Sequence, residues 1–154
     1  MEIDRFDRKI LRELQRDASV GVEDLGARVG LSRNACWRRV RRLEEARIIT
    51  ARVALVDPAA LGLEVSVFVA VRTDRHDPDW LDTFTRAVRD MPEIQGVWRT
   101  SGELDYLLKV RVASVREYDA FYQRLIRKVE VADISASFVM EEIKDTTELP
   151  LEHI

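Results

Sequence analysis

The chain has 154 residues, 46% hydrophobic and 34% charged, with four prolines and one cysteine. That excludes a disordered chain, and the length suffices to bury roughly 70% of the unfolded surface without a disulfide or a metal. Cys36 alone cannot form an intrachain disulfide, the charged start "MEIDRFDRKI" lacks an apolar signal core, and no apolar run approaches the ~20 residues of a membrane span, so a soluble cytoplasmic protein without membrane contact is expected.

The formal net charge of −3 conceals an asymmetry. Residues 1–57 carry 13 basic and 10 acidic residues, net +3, whereas residues 58–154 carry 12 and 18, net −6. A basic N-terminal part joined to an acidic remainder points to two jobs, the first involving a polyanion.

In chain order, "DRFDRKILRELQRD" predicts a helix capped by Asp4, with Ile3, Phe6, Ile10 and Leu14 at helical spacing. "VEDLGARVG" predicts a short second helix, with Leu25 and Val29 on one side and Gly30 stopping it. Ser32 is the expected N-cap of a third helix through "RNACWRRVRRLEEA". Two short helices around a glycine-containing turn are the signal of a helix-turn-helix. "IITARVALVD" is β-prone, and a wing with an outgoing strand is expected there. Asp57-Pro58 then breaks the pattern. Domains are expected at 1–57 and 64–154, with "PAALGL" (58–63) as hinge.

"LEVSVFVAVRT" predicts a strand with Val65, Val67, Val69 and Val71 on one face. "DPDWLDTFTRAVRDM" predicts a helix with Pro78 in its first turn and Leu81, Phe84, Val88 and Met91 on one stripe. "IQGVWRT" and "LDYLLKVRV" read as strands joined by "SGE", the second setting Leu108, Val110 and Val112 opposite Lys109 and Arg111. "SVREYDAFYQRLIRKV" opens on a Ser114/Glu117 capping box and aligns Tyr118, Phe121, Leu125 and Val129. "DISASFVMEEI" is the last strand. The β-α-β-β-α-β order is ferredoxin-like, so the fold class is α+β: a winged helix-turn-helix followed by a ferredoxin-like domain. Helices cover one sheet face, and Phe68, Trp98 and Phe138 are candidates for the other, where a symmetric dimer is the simplest cover.

"SRNACWRRVRR" holds five arginines and no acid. On a helical wheel Cys36, Val40 and Leu43 form the core side; Asn34, Arg38 and Arg41 lie opposite, flanked by Trp37 and Arg42, while Arg39 leans back toward the domain. A solvated face would interleave acids at i±4, and none appears before Glu44. The start of such a helix is the part that enters a major groove, so Ser32, Arg33, Asn34 and Arg38 are candidate DNA contacts. Arg41, Arg42 and Arg52 suit phosphates. Trp37 either touches a sugar or thymine methyl or packs on the first helix. No catalytic motif stands out: His76 and His153 lack ligand-spaced neighbours, and there is no phosphate loop or nucleophile elbow. Neither an enzyme nor a metal or other cofactor is expected.

The run "LGARVGLSRNACWRRVRRLEEARII" resembles the helix-turn-helix of the Lrp/AsnC, or feast/famine, family of bacterial regulators. "SGELDYLLKVRV" and "FVMEEIKDTTELPL" resemble that family's effector domain, and the likeness spans essentially the whole chain. "LVDPAALGL", "MPEIQGVWRTSGELDYL" and "TTELP" are most similar to the cysteine-responsive branch. The resemblance implies a transcription regulator that binds double-stranded DNA, self-associates to dimers and octamers, and holds a small amino acid between dimers, with cysteine one candidate. The matching effector residues are Thr100, Ser101, Gly102, Glu103, Leu104 and Asp105, with Ser135, Ser137 and Phe138 shaping the side-chain pocket. Read locally, "SGE" is also a good hairpin turn and Asp105 a good cap. An architectural DNA-wrapping protein without effector is the alternative. Two positions depart from the family pattern. Arg47 replaces glycine at the end of the third helix, where a left-handed residue would be strained, so a different helix end is expected. Gly26 replaces alanine and is expected to soften the second helix.

Overall fold

The structure is a computed structural model, which describes residues 2–154. The chain divides into two compact units, one of residues 1–55 and 144–154, the other of residues 56–143.

The first unit holds helices α1 (Arg5–Arg16), α2 (Val22–Val29) and α3 (Arg33–Glu45). Asp4 caps α1 by accepting from the N–H groups of Phe6 and Asp7. Asp7 returns the bond to the Asp4 N–H, completing a capping box. Gly30 takes a left-handed conformation and ends α2. Ile10, Leu11, Leu25, Val29, Cys36, Val40 and Leu43 close the core. Cys36 is fully buried and burial raises its thiol pKa, as its core-side wheel position implies.

Three expectations need correction in this unit. Among the described residues no wing forms: residues 51–57 are irregular and exposed, because no described strand lies alongside to complete a ladder. The last eleven residues do not complete the second domain as expected; they group with the helices. Leu149 is bracketed by Gln15, which accepts from its N–H (2.7 Å) and donates to its carbonyl (3.2 Å). Glu148 pairs with Arg16 and Glu152 with Arg12, while Leu151 packs on the core. Finally, α3 ends as a glycine would end it. Arg47 has φ +54°, and the Ile48 N–H reaches back to the Leu43 carbonyl (2.9 Å) in a Schellman-type turn.

The second unit begins with a 3₁₀ turn, Ala59–Leu61, within the expected hinge. Then come β1 (Val65–Arg72), α4 (Pro78–Arg89), β2 (Ile94–Arg99), β3 (Tyr106–Val112), α5 (Val115–Lys128) and β4 (Asp133–Phe138). The sheet order is β2-β3-β1-β4, antiparallel throughout, the ferredoxin-like arrangement. Val67, Val69 and Val71 of β1 and Leu108, Val110 and Val112 of β3 bury one face under α4 and α5. On α5 Tyr118, Phe121, Leu125 and Val129 are buried as the periodicity predicts. On α4 the stripe is rotated: Trp80, Phe84, Ala87 and Met91 are buried and Leu81 is exposed. Trp80 wins because its indole N–H reaches the Glu130 carbonyl (2.6 Å) and its ring stacks on Phe84 at 5.1 Å.

The opposite face is open. Phe68 is 37% and Trp98 49% exposed on it. A Cβ on Gly96 would lie 2.3 Å from the Trp98 ring, so glycine lets that ring lie flat along β2. Phe138 is not there. It pairs in register with Val67 and meets Tyr118 edge-on at 5.1 Å, which puts it on the helix side. The last strand also stops at Phe138, five residues before the expected end.

Candidate nucleic-acid interface and effector turn

Helix α3 owes its start to Ser32, whose hydroxyl accepts from the Ala35 N–H (3.3 Å). Its buried stripe fixes which residues face outward. Arg33, Asn34, Arg38 and Arg41 are all exposed, and the first turn carries no acid. Trp37 is 53% exposed, and the Arg41 guanidinium lies 5.8 Å from its ring centroid. Arg41 also lies 3.9 Å from Glu45 across a helical turn, a solvated pair worth little. This surface offers donors suited to guanine and adenine edges beside cations suited to phosphates.

Two arginines expected on phosphates are engaged elsewhere. Arg42 lies 2.8 Å from the Asp7 carboxylate, and Arg52 lies 2.9 Å from Glu44. Arg39 joins the first of these groups, 2.9 Å from Asp7 and 2.7 Å from Asp4. Asp7 is fully buried, and Phe6 lies beneath both Arg5 and Arg39. The Asp7 N–H bond and the Arg39 guanidinium hold the Asp4 carboxyl below its usual pKa. Asp7 escaped the sequence reading, although two signals pointed to it: an acid three residues after the cap, and an Arg39 that leans inward on the wheel.

In the second unit the turn from Thr100 to Asp105 joins β2 to β3. The Thr100 N–H donates to the Asp105 carbonyl (2.9 Å) and its hydroxyl to the Leu104 carbonyl (2.6 Å). Ser101, Gly102 and Glu103 are exposed at the tip, with Gly102 at φ +125°. Asp105 does the capping that the local reading allowed. Its carboxylate accepts from the Thr73 N–H (2.8 Å) and its N–H donates to the Val71 carbonyl (3.1 Å), tying the start of β3 to the end of β1. Ser135 and Ser137 stand on the open face, in register with Ala70 and Phe68. Their strand is two strands from β3, about 10 Å away. The turn and the β4 serines therefore do not converge within one chain, and Phe138 faces the other side.

Among the described residues there is no cluster of His, Cys, Asp and Glu suited to a metal, and no helix is long and apolar enough to cross a membrane.

Comparison with known proteins finds a family model for each of two stretches of the chain. Residues 3–44 match the AsnC-type helix-turn-helix domain and residues 66–149 the Lrp/AsnC ligand binding domain. The chain is 48% identical to the glutamate uptake regulatory protein of Zymomonas mobilis, over 97% of this chain and 92% of that one. It is 43% identical to the DNA-binding transcriptional activator DecR of Escherichia coli, over 97% and 99%. A Neisseria meningitidis transcriptional regulator solved as a complex with L-Met superposes with a TM-score of 0.95 at 35% identity, covering 99% of both chains. The helix-turn-helix domain and the ligand binding domain are thus those of a regulator rather than an enzyme, and the chain belongs to the Lrp/AsnC family of DNA-binding transcriptional regulators.

Proposed function

We propose that α3 reads a specific operator, and that a small amino acid bound at the second unit shifts assembly and operator affinity together. The observation that carries the first half is the acid-free outer face of Arg33, Asn34, Arg38 and Arg41, beginning at the Ser32 cap. Asn34 and Arg38 are the base readers, Arg33 and Arg41 add base-edge or phosphate contacts, and Trp37 supplies apolar contact. Arg42 and Arg52 are secondary, since each already faces a carboxylate. Arg38→Ala should reduce discrimination between the operator and random duplex, by about 1–3 kcal/mol at the base it reads. Equal weakening on both duplexes in an anisotropy titration would contradict that role.

For the second half, the amino-acid-bound relative supports an effector of that class, and the Thr100–Asp105 turn has fitting chemistry. Backbone N–H groups around Gly102 suit a carboxylate. Glu103 suits the ammonium better than Asp105 does, because Asp105 already accepts from Thr73. Ser135 and Ser137 enter the pocket only if another copy completes it, which fits binding between dimers. The open face with Phe68 and Trp98 is the proposed dimer surface, and dimers associate further, up to octamers. Cysteine is the candidate effector carried by the sequence resemblance, alongside methionine from the relative. A cytoplasmic site of action and a two-domain division hinged at 58–63 complete the reading. A thermal-shift screen against the common amino acids tests the effector, because a ligand of the folded state raises its stability by mass action. Glu103→Gln should weaken the responding ligand about tenfold; an unaltered midpoint shift would remove Glu103 from the site.

A further inference from the structure

We infer that Asp7 is a positioning residue for DNA recognition, holding Arg39 and Arg42 off the phosphates and fixing the reading helix to α1. The proposal rests on the reading of α3 as the recognition helix.

Five arginines stand between Ser32 and Arg42, yet they differ in what they face. Arg39 and Arg42, three positions apart, turn toward α1, where one fully buried carboxylate receives both: Asp7 Oδ1 lies 2.9 Å from Arg39 Nη1, and Asp7 Oδ2 lies 2.8 Å from Arg42 Nη2. Oδ2 also accepts from the Asp4 N–H at 3.2 Å, and the Asp4 side chain takes a second bond from Arg39 at 2.7 Å. Two acids and two arginines thus cancel, in a cluster built partly from the α1 cap itself. A carboxylate without water is viable only with such partners. The geometry does two things. Bonds from Asp7 to two successive turns of α3 fix its rotation relative to α1, which decides whether Asn34 and Arg38 meet base edges. They also pair the Arg42 charge with a carboxylate, while its side chain stays 49% exposed. A cation bound to phosphate adds affinity for any sequence, so its withdrawal favours discrimination.

The test uses full-length protein, a duplex selected from a random pool by the wild type, and a scrambled duplex, each titrated from 50 to 200 mM salt. Asp7→Asn keeps the side-chain shape and removes the charge that holds Arg42, while Arg39 keeps its bond to Asp4. Each added phosphate contact steepens the loss of affinity across this range by about 3.5-fold. We expect that steepening on the scrambled duplex for each subunit engaged, a smaller selected-to-scrambled ratio, and a return to the wild-type slope in Asp7→Asn/Arg42→Gln. Asp7→Glu should stay near wild type. Should Asp7→Asn not fold, Arg42→Gln alone decides, since a withdrawn charge predicts the wild-type slope. A folded Asp7→Asn with unchanged slope, or Arg42→Gln with a shallower one, overturns the proposal. Arg38→Ala on the same duplexes separates the two readings: if it changes neither slope nor ratio, α3 is not the reading helix, whatever Asp7 does.

Discussion

Arg47 sits where the chain turns out of α3 with φ +54°, a conformation that costs a residue with a Cβ about 1–2 kcal/mol relative to its usual basins. The Schellman-type bond from Ile48 to Leu43 forms anyway, because Ile48 and Ile49 must pack on the core beyond it. Arg47→Gly should therefore stabilise the protein by up to about 1 kcal/mol in urea unfolding, the relief of strain outweighing the added freedom of the unfolded chain. An unchanged or lower midpoint would mean that the strain at this turn is no larger than that added freedom. Gly26 is the reverse case. Helix propensity alone favours Gly26→Ala, yet a Cβ there would lie 2.8 Å from the Leu31 carbonyl, so α2 or the following turn must shift. What the sequence marks as a softened helix is a close approach of backbone to backbone. No spacing rule signals it, because the two groups belong to different turns.

At the scale of elements, caps and stripes were readable because each is local. Asp4, Ser32 and Ser114 all cap where expected. Asp77, which caps α4, is held below its usual pKa by the Trp80 N–H and then by Arg75. Asp4 is lowered likewise. Since their folded pKa values lie below the unfolded value of about 3.9, these carboxylates stabilise the fold fully above that pH, and the contribution is lost as pH falls through the folded values. Acid unfolding of Asp4→Asn, which keeps a good cap but no longer titrates, should be shallower than that of wild type; superimposable curves would show that Asp4 adds no pH dependence. The missing wing and the docked tail were not readable, for a shared reason. A β-prone run becomes a strand only with a partner beside it, and residues 51–57 find none among the described residues. The tail has no periodicity, and its bond from Leu149 to Gln15 spans 134 positions. Deleting residues 148–154 removes that bracket, the Leu151 contact and two solvated ion pairs, and should destabilise the helical unit by about 2–3 kcal/mol. An unshifted urea midpoint would show the tail to be a passenger.

For the whole molecule, charge asymmetry and element order pointed to two kinds of domain, a basic helix-turn-helix and an acidic α+β ligand binding domain. Site composition was less legible. Phe138 alternates with the β4 serines, so the strand that offers Ser135 and Ser137 to the open face turns Phe138 to the helices. Asp105 is held by Thr73, which only the β1–β3 pairing brings near. Effector and DNA are linked through assembly: where both prefer one assembly state over another, the effector changes DNA affinity by the same factor as DNA changes the effector's. The direct measurement is light scattering of the full-length protein with each common amino acid, cysteine and methionine included, paired with titration of a selected duplex at fixed salt. We predict that at least one amino acid changes both particle mass and duplex affinity, and that bound duplex shifts that amino acid's affinity by an equal factor. Constant mass and constant duplex affinity across all of them would contradict the account.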